Sequence, residues 1–256
     1  MENSNIIIEA KKLCKQYING ENQQYVIKNM DIQIFDKDFT VFMGPSGSGK
    51  STLMQVLSGM DRASIGEIYF RNMNFSKYSE EELSEFRKLH CGYVFQQIHL
   101  INNMSLMDNV LISGLLVQKN KKNLLERAKK LFNDVGLTEQ EWKKYPTQIS
   151  GGQLGRTGIV RALINNPDII FADEPTGALD SKSGRAVLDI LTKINNEGQS
   201  IIMVTHDLKS ALRGNRILYL KDGRIIGECI LEKYKNDLDL DERKDKLIYF
   251  LEEMGW

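Results

Sequence analysis

Apolar residues along this chain follow two alternating periodicities. Short β-branched and aromatic runs predict strands at residues 6–10, 32–35, 40–43, 67–70, 92–95, 168–172, 200–205, 217–220 and 224–228. Longer stretches with helical spacing separate several of them, the mark of parallel strands joined by crossover helices. Ile169 to Phe171 and Ile201 to Val204 are apolar without alternation, as expected of strands covered on both faces. The region from Ile6 to Phe35 is instead turn-rich and amphipathic, which predicts an antiparallel flank beside the main sheet. From about Gln97 to Leu163 strand signals vanish, and Leu124, Leu125, Ala128, Leu131, Phe132 and Val135 recur at helical spacing. That predicts a helical subdomain inserted into an α/β core. Residues 237–246 read as a charged linker or helix start, followed by Leu247, Phe250, Leu251 and Met254 at helical spacing. The expected organisation is a single domain over residues 1–256. Its core comprises 1–96 and 164–230, its helical subdomain 97–163 and its helical tail 231–256.

Composition narrows the classes of function. The chain has 256 residues, 41% of them hydrophobic, so a sizeable core is expected. Lys plus Arg and Asp plus Glu are 34 each, a zero balance that argues against a dedicated nucleic-acid binder and against attraction to anionic lipid. No stretch approaches the roughly 18 apolar residues of a membrane span; the longest, around Val110 to Val117, contains Ser113 and Gly114. Met1 to Asn5 is neither basic nor followed by a cleavable apolar region, so no secretory signal is expected. Cys14, Cys91 and Cys229 are odd in number and widely spaced, which suits a reducing compartment and small buried side chains.

Two constellations carry chemistry. Gly44-Pro45-Ser46-Gly47-Ser48-Gly49-Lys50-Ser51 fills every fixed position of GxxxxGK[ST], between an apolar strand and a helical pattern through Leu53, Met54, Val56 and Leu57. The glycines let backbone N–H groups converge on phosphate oxygens, and the following helix offers its positive end to the same anion. Lys50 is expected to reach the β- and γ-phosphates and the Ser51 hydroxyl to ligate Mg2+. The second constellation is Asp168-Ile169-Ile170-Phe171-Ala172-Asp173-Glu174, an apolar strand delivering two carboxylates at its C-terminal end, where ligand chemistry collects in open α/β sheets. Adjacent positions on a strand face opposite ways, so Asp173 and Glu174 are expected to differ in role. Asp173 is placed to hold Mg2+ or one of its waters, and Glu174 to orient and activate an attacking water. Acidic pairs at strand ends are often solvated caps, and the phosphate loop is what favours catalysis here.

Ile149-Ser150-Gly151-Gly152-Gln153 resembles the LSGGQ signature of ABC-type ATPases, with Ile149 in place of the usual Leu. Other family elements occur in order. Tyr17 matches the aromatic that stacks on adenine, Gln96 in Val94-Phe95-Gln96 the Q-loop, Ala178-Leu179-Asp180 the D-loop, and His206 in Val204-Thr205-His206-Asp207 the switch histidine. The resemblance spans about residues 6–228. The phosphate-loop segment through Met54, the run from Ala172 to Asp180 and the stretch from Phe86 to Gln96 place the chain nearest the MacB/LolD/FtsE-like branch, which serves lipoprotein release, macrolide export, antimicrobial-peptide resistance and cell division.

The resemblance implies an α/β fold, a P-loop NTPase (RecA-like) core with an antiparallel β flank and an inserted helical signature subdomain. It implies ATP and Mg2+ as ligands, with Glu174, His206 and Gln96 catalytic. Nucleotide contacts would come from Tyr17, Gly44, Pro45, Ser46, Gly47, Ser48, Gly49, Lys50, Ser51 and Thr52, and from Ser150, Gly151, Gly152 and Gln153. Ser51, Gln96 and Asp173 would serve the metal. It further implies a head-to-tail dimer of two copies, each ATP lying between the phosphate loop of one and the signature of the other. Integral membrane permease subunits would dock around residues 97–117, with the chain peripheral on the cytoplasmic side of the membrane and no nucleic-acid partner. Three uses of the engine stay open: transport or extrusion, mechanical signalling across the membrane as in the cell-division relatives, and a soluble ATPase. The last is disfavoured by the lack of a coiled-coil insertion or second cassette.

The chain departs from the family after Gln153. The usual Gln-Gln-Arg-Val is replaced by Leu154-Gly155-Arg156-Thr157, with Gly158 following. Interior helix glycines cost about 0.5–1 kcal/mol each relative to Ala, so Gly155 and Gly158 either soften this helix, admit a close neighbour, or are neutral. His90 and His99 lack partners at ligand spacing and read as surface or subdomain residues. The lysines at 119, 121, 122, 129 and 130 read as an ordinary solvated helix face.

Overall fold

The structure is a computed structural model and describes residues 5–19, 22–235 and 240–256. The segment read for a secretory signal falls outside the described residues except at Asn5, and so does the start, at Asp237, of the expected charged linker. In chain order the first elements are β1 (Ile6–Asn19), β2 (Asn22–Phe35), β3 (Phe39–Met43), α1 (Lys50–Leu57), β4 (Ile65–Phe70), β5 (Met73–Asn74), α2 (Glu80–His90) and β6 (Cys91–Phe95). Next come α3 (Leu106–Leu115), α4 (Lys121–Asp134), α5 (Glu139–Trp142), a 3-10 turn at Pro146–Gln148, α6 (Gly151–Leu163) and β7 (Ile169–Asp173). The last are α7 (Ser181–Asn196), β8 (Ser200–Val204), α8 (Leu208–Ala211), β9 (Arg216–Lys221), β10 (Arg224–Ile230) and α9 (Leu240–Glu253). Packing divides them into two compact units, Met1–Ser84 with Gly198–Trp256, and Glu85–Glu197.

The first unit holds two sheets. One is the expected antiparallel flank, in the order β2-β1-β4-β5. The other places β3 between β8 and β9, parallel to both, with β10 antiparallel on the outside of β9. All five residues of β3 and of β8 are buried, which is why neither shows alternation in sequence. The flank differs from expectation in length. β1 and β2 each run for 14 residues as one long hairpin where two short strands were expected. Register shifts between Ala10 and Leu13 and around Lys15 break the alternation, and Lys12 and Asn29 adopt left-handed backbone at φ 50° and 45°. β5, two residues long, carries no sequence pattern at all.

The C-terminal helix covers the unit it belongs to. Leu247, Phe250 and Leu251 of α9 are buried, and a Cβ at Gly227 of β10 would fall 2.4 Å from Met254 Sδ. Arg243, 6% exposed, reaches from α9 to donate to the carbonyls of Leu212 at 2.8 Å and Gly214 at 2.7 Å, and also to that of Glu232. The Tyr234 ring lies beneath two guanidinium groups, with Arg213 4.5 Å and Arg243 5.4 Å from its centroid.

In the second unit β6 and β7 pair in parallel, and α6 lies against β6. Residues 97–163 are free of strands. Their helices close on a core of Leu106, Val110, Leu124, Ala128, Phe132 and Trp142, joined by Val160 and Ile164 at the end of α6. The five apolar residues of α4 that suggested a helix all point into or against this core, whereas Lys121, Lys122, Lys129 and Lys130 are exposed, as read.

His90 is corrected. Its Nδ1 lies 2.7 Å from Asp168 Oδ2, and the Asp168 amide donates to the His90 carbonyl at 3.0 Å, tying the two strand starts together. His99 is exposed, as expected. None of the three cysteines is in a disulfide; Cys229 is buried, Cys14 and Cys91 half-buried, and burial pushes the Cys91 thiol up to about 12.

Candidate functional site

The phosphate loop leaves β3 and enters α1 as the sequence requires. Gly44 is at φ 143°, and a Cβ there would fall 2.0 Å from the Leu220 carbonyl oxygen, so no other residue fits. Gly49 caps α1 in left-handed backbone at φ 99°. Pro45, Ser46, Gly47 and Ser51 are exposed on the loop while Ser48, Gly49 and Lys50 are buried. The Ser48 amide donates to the Pro45 carbonyl at 3.2 Å, and its buried hydroxyl has no hydrogen-bond partner among the described residues. Lys50, 8% exposed, donates from Nζ to the Gly44 and Pro45 carbonyls, both at 2.9 Å. The desolvation of this ammonium is thus already met within the loop.

Two more expected residues lie in the same unit. Tyr17 is 44% exposed near the end of β1, with its hydroxyl donating to Asp61 Oδ2 at 2.9 Å. Burial and the neighbouring Asp61 carboxylate raise its phenol above the ordinary value, against an opposing effect of Thr52. His206 is exposed directly after the buried β8 and Thr205. Asp207 beside it caps α8, accepting from the Ser210 amide at 2.8 Å.

The second unit brings together the acidic pair, the Q-loop and the signature helix. β7 ends at Asp173, so Glu174 lies one residue beyond the strand, in left-handed backbone at φ 44°. Its direction is therefore set by this strained turn, not by the strand alternation expected from sequence. The turn is closed by the Gly177 amide on the Glu174 carbonyl at 2.9 Å. Gln96 is exposed just after β6, and its amide lies against that turn: a Cβ at Gly177 would meet Gln96 Nε2 at 2.7 Å.

Ser150 caps α6 in a reciprocal box. Its hydroxyl accepts from the Gln153 amide at 3.3 Å, and Gln153 Oε1 accepts from the Ser150 amide at 2.9 Å. Gln153 Nε2 also donates to Glu141 Oε1. The Glu141 carboxyl is held below its usual range by the Thr138 amide and hydroxyl, then by Gln153 and Arg156, against the opposing effect of burial. The glycines of α6 prove to be packing residues. A Cβ at Gly152 would fall 2.5 Å from Ser183 Oγ and 2.8 Å from Ser183 Cβ, and one at Gly155 3.1 Å from Val187 Cγ2. Gly158 instead faces Ile98 at 3.3 Å.

Sequence reading missed several supports. Arg161 on α6 donates to the carbonyls of Ile98 at 2.7 Å and His99 at 2.9 Å, which holds the segment after Gln96. Glu141 anchors the signature, and Lys15 and Asp61 surround Tyr17. Each partner lies at least 12 positions away along the chain, where no local spacing betrays it.

Of the residues expected at Mg2+, Ser51 belongs to the first unit and Gln96 and Asp173 to the second; their hydroxyl, amide and carboxylate oxygens are each the hard kind of donor that ion prefers. Among the described residues no group of three or more His, Cys, Asp or Glu gathers at a metal-binding spacing, so a site made of carboxylates alone is not available there. No helix of the described residues is long and apolar enough to cross a membrane.

Comparison with known proteins gives a consistent result. Residues 27–177 match the ABC transporter family. An uncharacterized ABC transporter ATP-binding protein of Methanocaldococcus jannaschii is 45% identical over 220 residues, covering 86% of this chain and 98% of its own. The macrolide export ATP-binding/permease protein MacB of Escherichia coli is 42% identical over 227 residues, 88% of this chain. The match takes in only 35% of that longer protein. Among solved structures, a dimeric ATP-binding cassette in a post-hydrolysis state with ADP and Pi superposes with a TM-score of 0.82 at 37% identity, covering 89% of this chain and all of that one.

Proposed function

The chain belongs to the ABC transporter family, and from that premise we propose that this ATP-hydrolysing, nucleotide-binding subunit dimerises head to tail around Mg2+-ATP and drives a membrane permease. The observation that carries the reading is the intact phosphate loop, seated between β3 and α1 with the Lys50 ammonium already enclosed. On ATP binding, Lys50 exchanges carbonyl partners for β- and γ-phosphate oxygens, and the exposed loop amides and the positive end of α1 bind the same anion. Tyr17 stacks on the base, a contact that tolerates more than one purine because every base has a π-face.

Ser51, Gln96 and Asp173 would hold Mg2+, which when bound neutralises charge on the phosphate oxygens. Glu174 orients and activates the water that attacks the γ-phosphorus in line, and His206 senses the γ-phosphate. Ser150, Gly151, Gly152 and Gln153 of the second copy complete the phosphate contacts. Catalysis on this reading is positioning and charge stabilisation, without a covalent intermediate.

Support for a membrane partner comes from the exposed Ile101, Ile112, Leu115, Leu116 and Val117 within the expected docking segment. It also comes from relatives in which a similar cassette is part of a protein named as an ATP-binding/permease protein. The proposed setting is peripheral, on the cytoplasmic face of the membrane, in export or extrusion. Light scattering of the Glu174→Gln chain tests the dimer: mass doubles with ATP and stays monomeric with ADP. A chain that stays monomeric with ATP contradicts the reading.

A further inference from the structure

Tyr17 stands near the exposed end of a long hairpin, where an unsupported aromatic side chain would sample several rotamers. It is instead held from two directions. Lys15 Nζ lies 4.9 Å from the Tyr17 ring centroid, over one face. The same ammonium donates to Asp61 Oδ1 at 2.6 Å and to the Arg62 carbonyl at 2.9 Å, and the residue is only 8% exposed. The other carboxylate oxygen of Asp61 accepts the Tyr17 hydroxyl at 2.9 Å. The Asp61 backbone is itself fixed, its amide donating to the Gln55 carbonyl of α1 at 3.1 Å. Burial raises the Asp61 carboxyl, but Lys15, the Arg62 amide and Tyr17 outweigh it and leave the group below its usual value.

We propose that the Lys15–Asp61 pair is a positioning brace for the Tyr17 ring, setting how much of the nucleotide affinity comes from the base. This rests on the assignment of Tyr17 to the base. Lys15 covers one face of the ring and leaves the other for stacking, and its charge draws π-density toward the covered face. Asp61 fixes the ring's rotation through the hydroxyl and ties it to α1, the helix that begins at Lys50. A ring already immobilised does not lose that rotamer freedom on binding. The pair makes no contact with phosphate in this role, so its effect is confined to ligands that carry a base.

The test compares Mg2+-ATP with inorganic tripolyphosphate by titration calorimetry on the full chain, for Lys15→Met, Lys15→Arg, Tyr17→Ala and the double variant Lys15→Met/Tyr17→Ala. Lys15→Met is expected to weaken ATP binding roughly threefold to tenfold and to leave tripolyphosphate affinity at the wild-type value. Lys15→Arg, which keeps the cation, restores most of the loss. In the Tyr17→Ala background the Lys15 substitution has no further effect. Wild-type ATP affinity in Lys15→Met, equal losses for both ligands, or a loss that persists without Tyr17 would each overturn the brace while leaving the Tyr17 assignment standing. If Tyr17→Ala itself binds ATP as tightly as wild type, the base assignment fails and the brace with it.

Discussion

Replacing Gly152 by Ala isolates the contact between the signature helix and its neighbour. The new methyl group would lie 2.5 Å from Ser183 Oγ and 2.8 Å from Ser183 Cβ. The hydroxyl can rotate away, but the Cβ cannot, because Ser183 is fixed in the first turn of α7, its backbone N–H donating to Asp180 Oδ1 at 3.0 Å. Carbon atoms need about 3.5 Å or more, so α6 and α7 must part by several tenths of an ångström. Overpacking of this kind costs about 1–3 kcal/mol, and the helical preference of Ala over Gly offsets about 1 kcal/mol at most. The net expectation is a loss of about 1–2 kcal/mol, or roughly 2–8 °C in melting temperature for a chain of this size. Gly158→Ala is the milder comparison: its methyl meets only the Ile98 Cγ2 methyl, at 3.3 Å, which must yield by a few tenths of an ångström, and the helix preference of Ala offsets that cost and leaves the variant close to neutral. Thermal and urea melts of both variants, and of Gly152→Ala combined with Ser183→Gly, give the answer. The double substitution removes the clashing atoms and should recover most of the loss. Wild-type stability of Gly152→Ala, or no recovery in the double variant, would refute the packing argument.

Arg243→Ala removes a buried guanidinium and strands the Leu212 and Gly214 carbonyls; a loss of about 2–4 kcal/mol in urea unfolding is expected. Because the Glu141 carboxyl is depressed in the folded chain, its stabilisation is complete above its unfolded value near 4.5 and fades as the pH falls through the lower folded value. The stability difference between wild type and Glu141→Gln should therefore shrink on acidification; a difference independent of pH counts against this anchor. Lys50→Ala should weaken nucleotide binding at least tenfold, by roughly 1.4 kcal/mol or more, and near-wild-type affinity by calorimetry would count against its role.

What sequence made legible is what lies within a few consecutive residues. The loop from Gly44 to Ser51 between a strand and a helix, and the apolar strand that ends at the acidic pair, each carry their geometry in local spacing, and the structure has both. The hairpin of β1 and β2 was legible only at its outer ends, because bulges near Lys12 and Lys15 interrupt the period-2 pattern that identifies a strand. Glu174 was read as a strand residue, but a backbone turn to φ 44° leaves no mark in composition. Gly155 and Gly158 were visible as a departure; that they admit Val187 and Ile98 depends on which elements pack there. Lys15 and Asp61 are 46 positions apart, and only the fold makes them one group with Tyr17.

Steady-state hydrolysis by the Glu174→Gln chain, with ATP binding measured on the same sample, tests the central claim most directly. Wild-type affinity for ATP is expected, with turnover reduced at least a hundredfold, roughly the scale on which a positioned general base contributes. Turnover close to that of the wild type would contradict it.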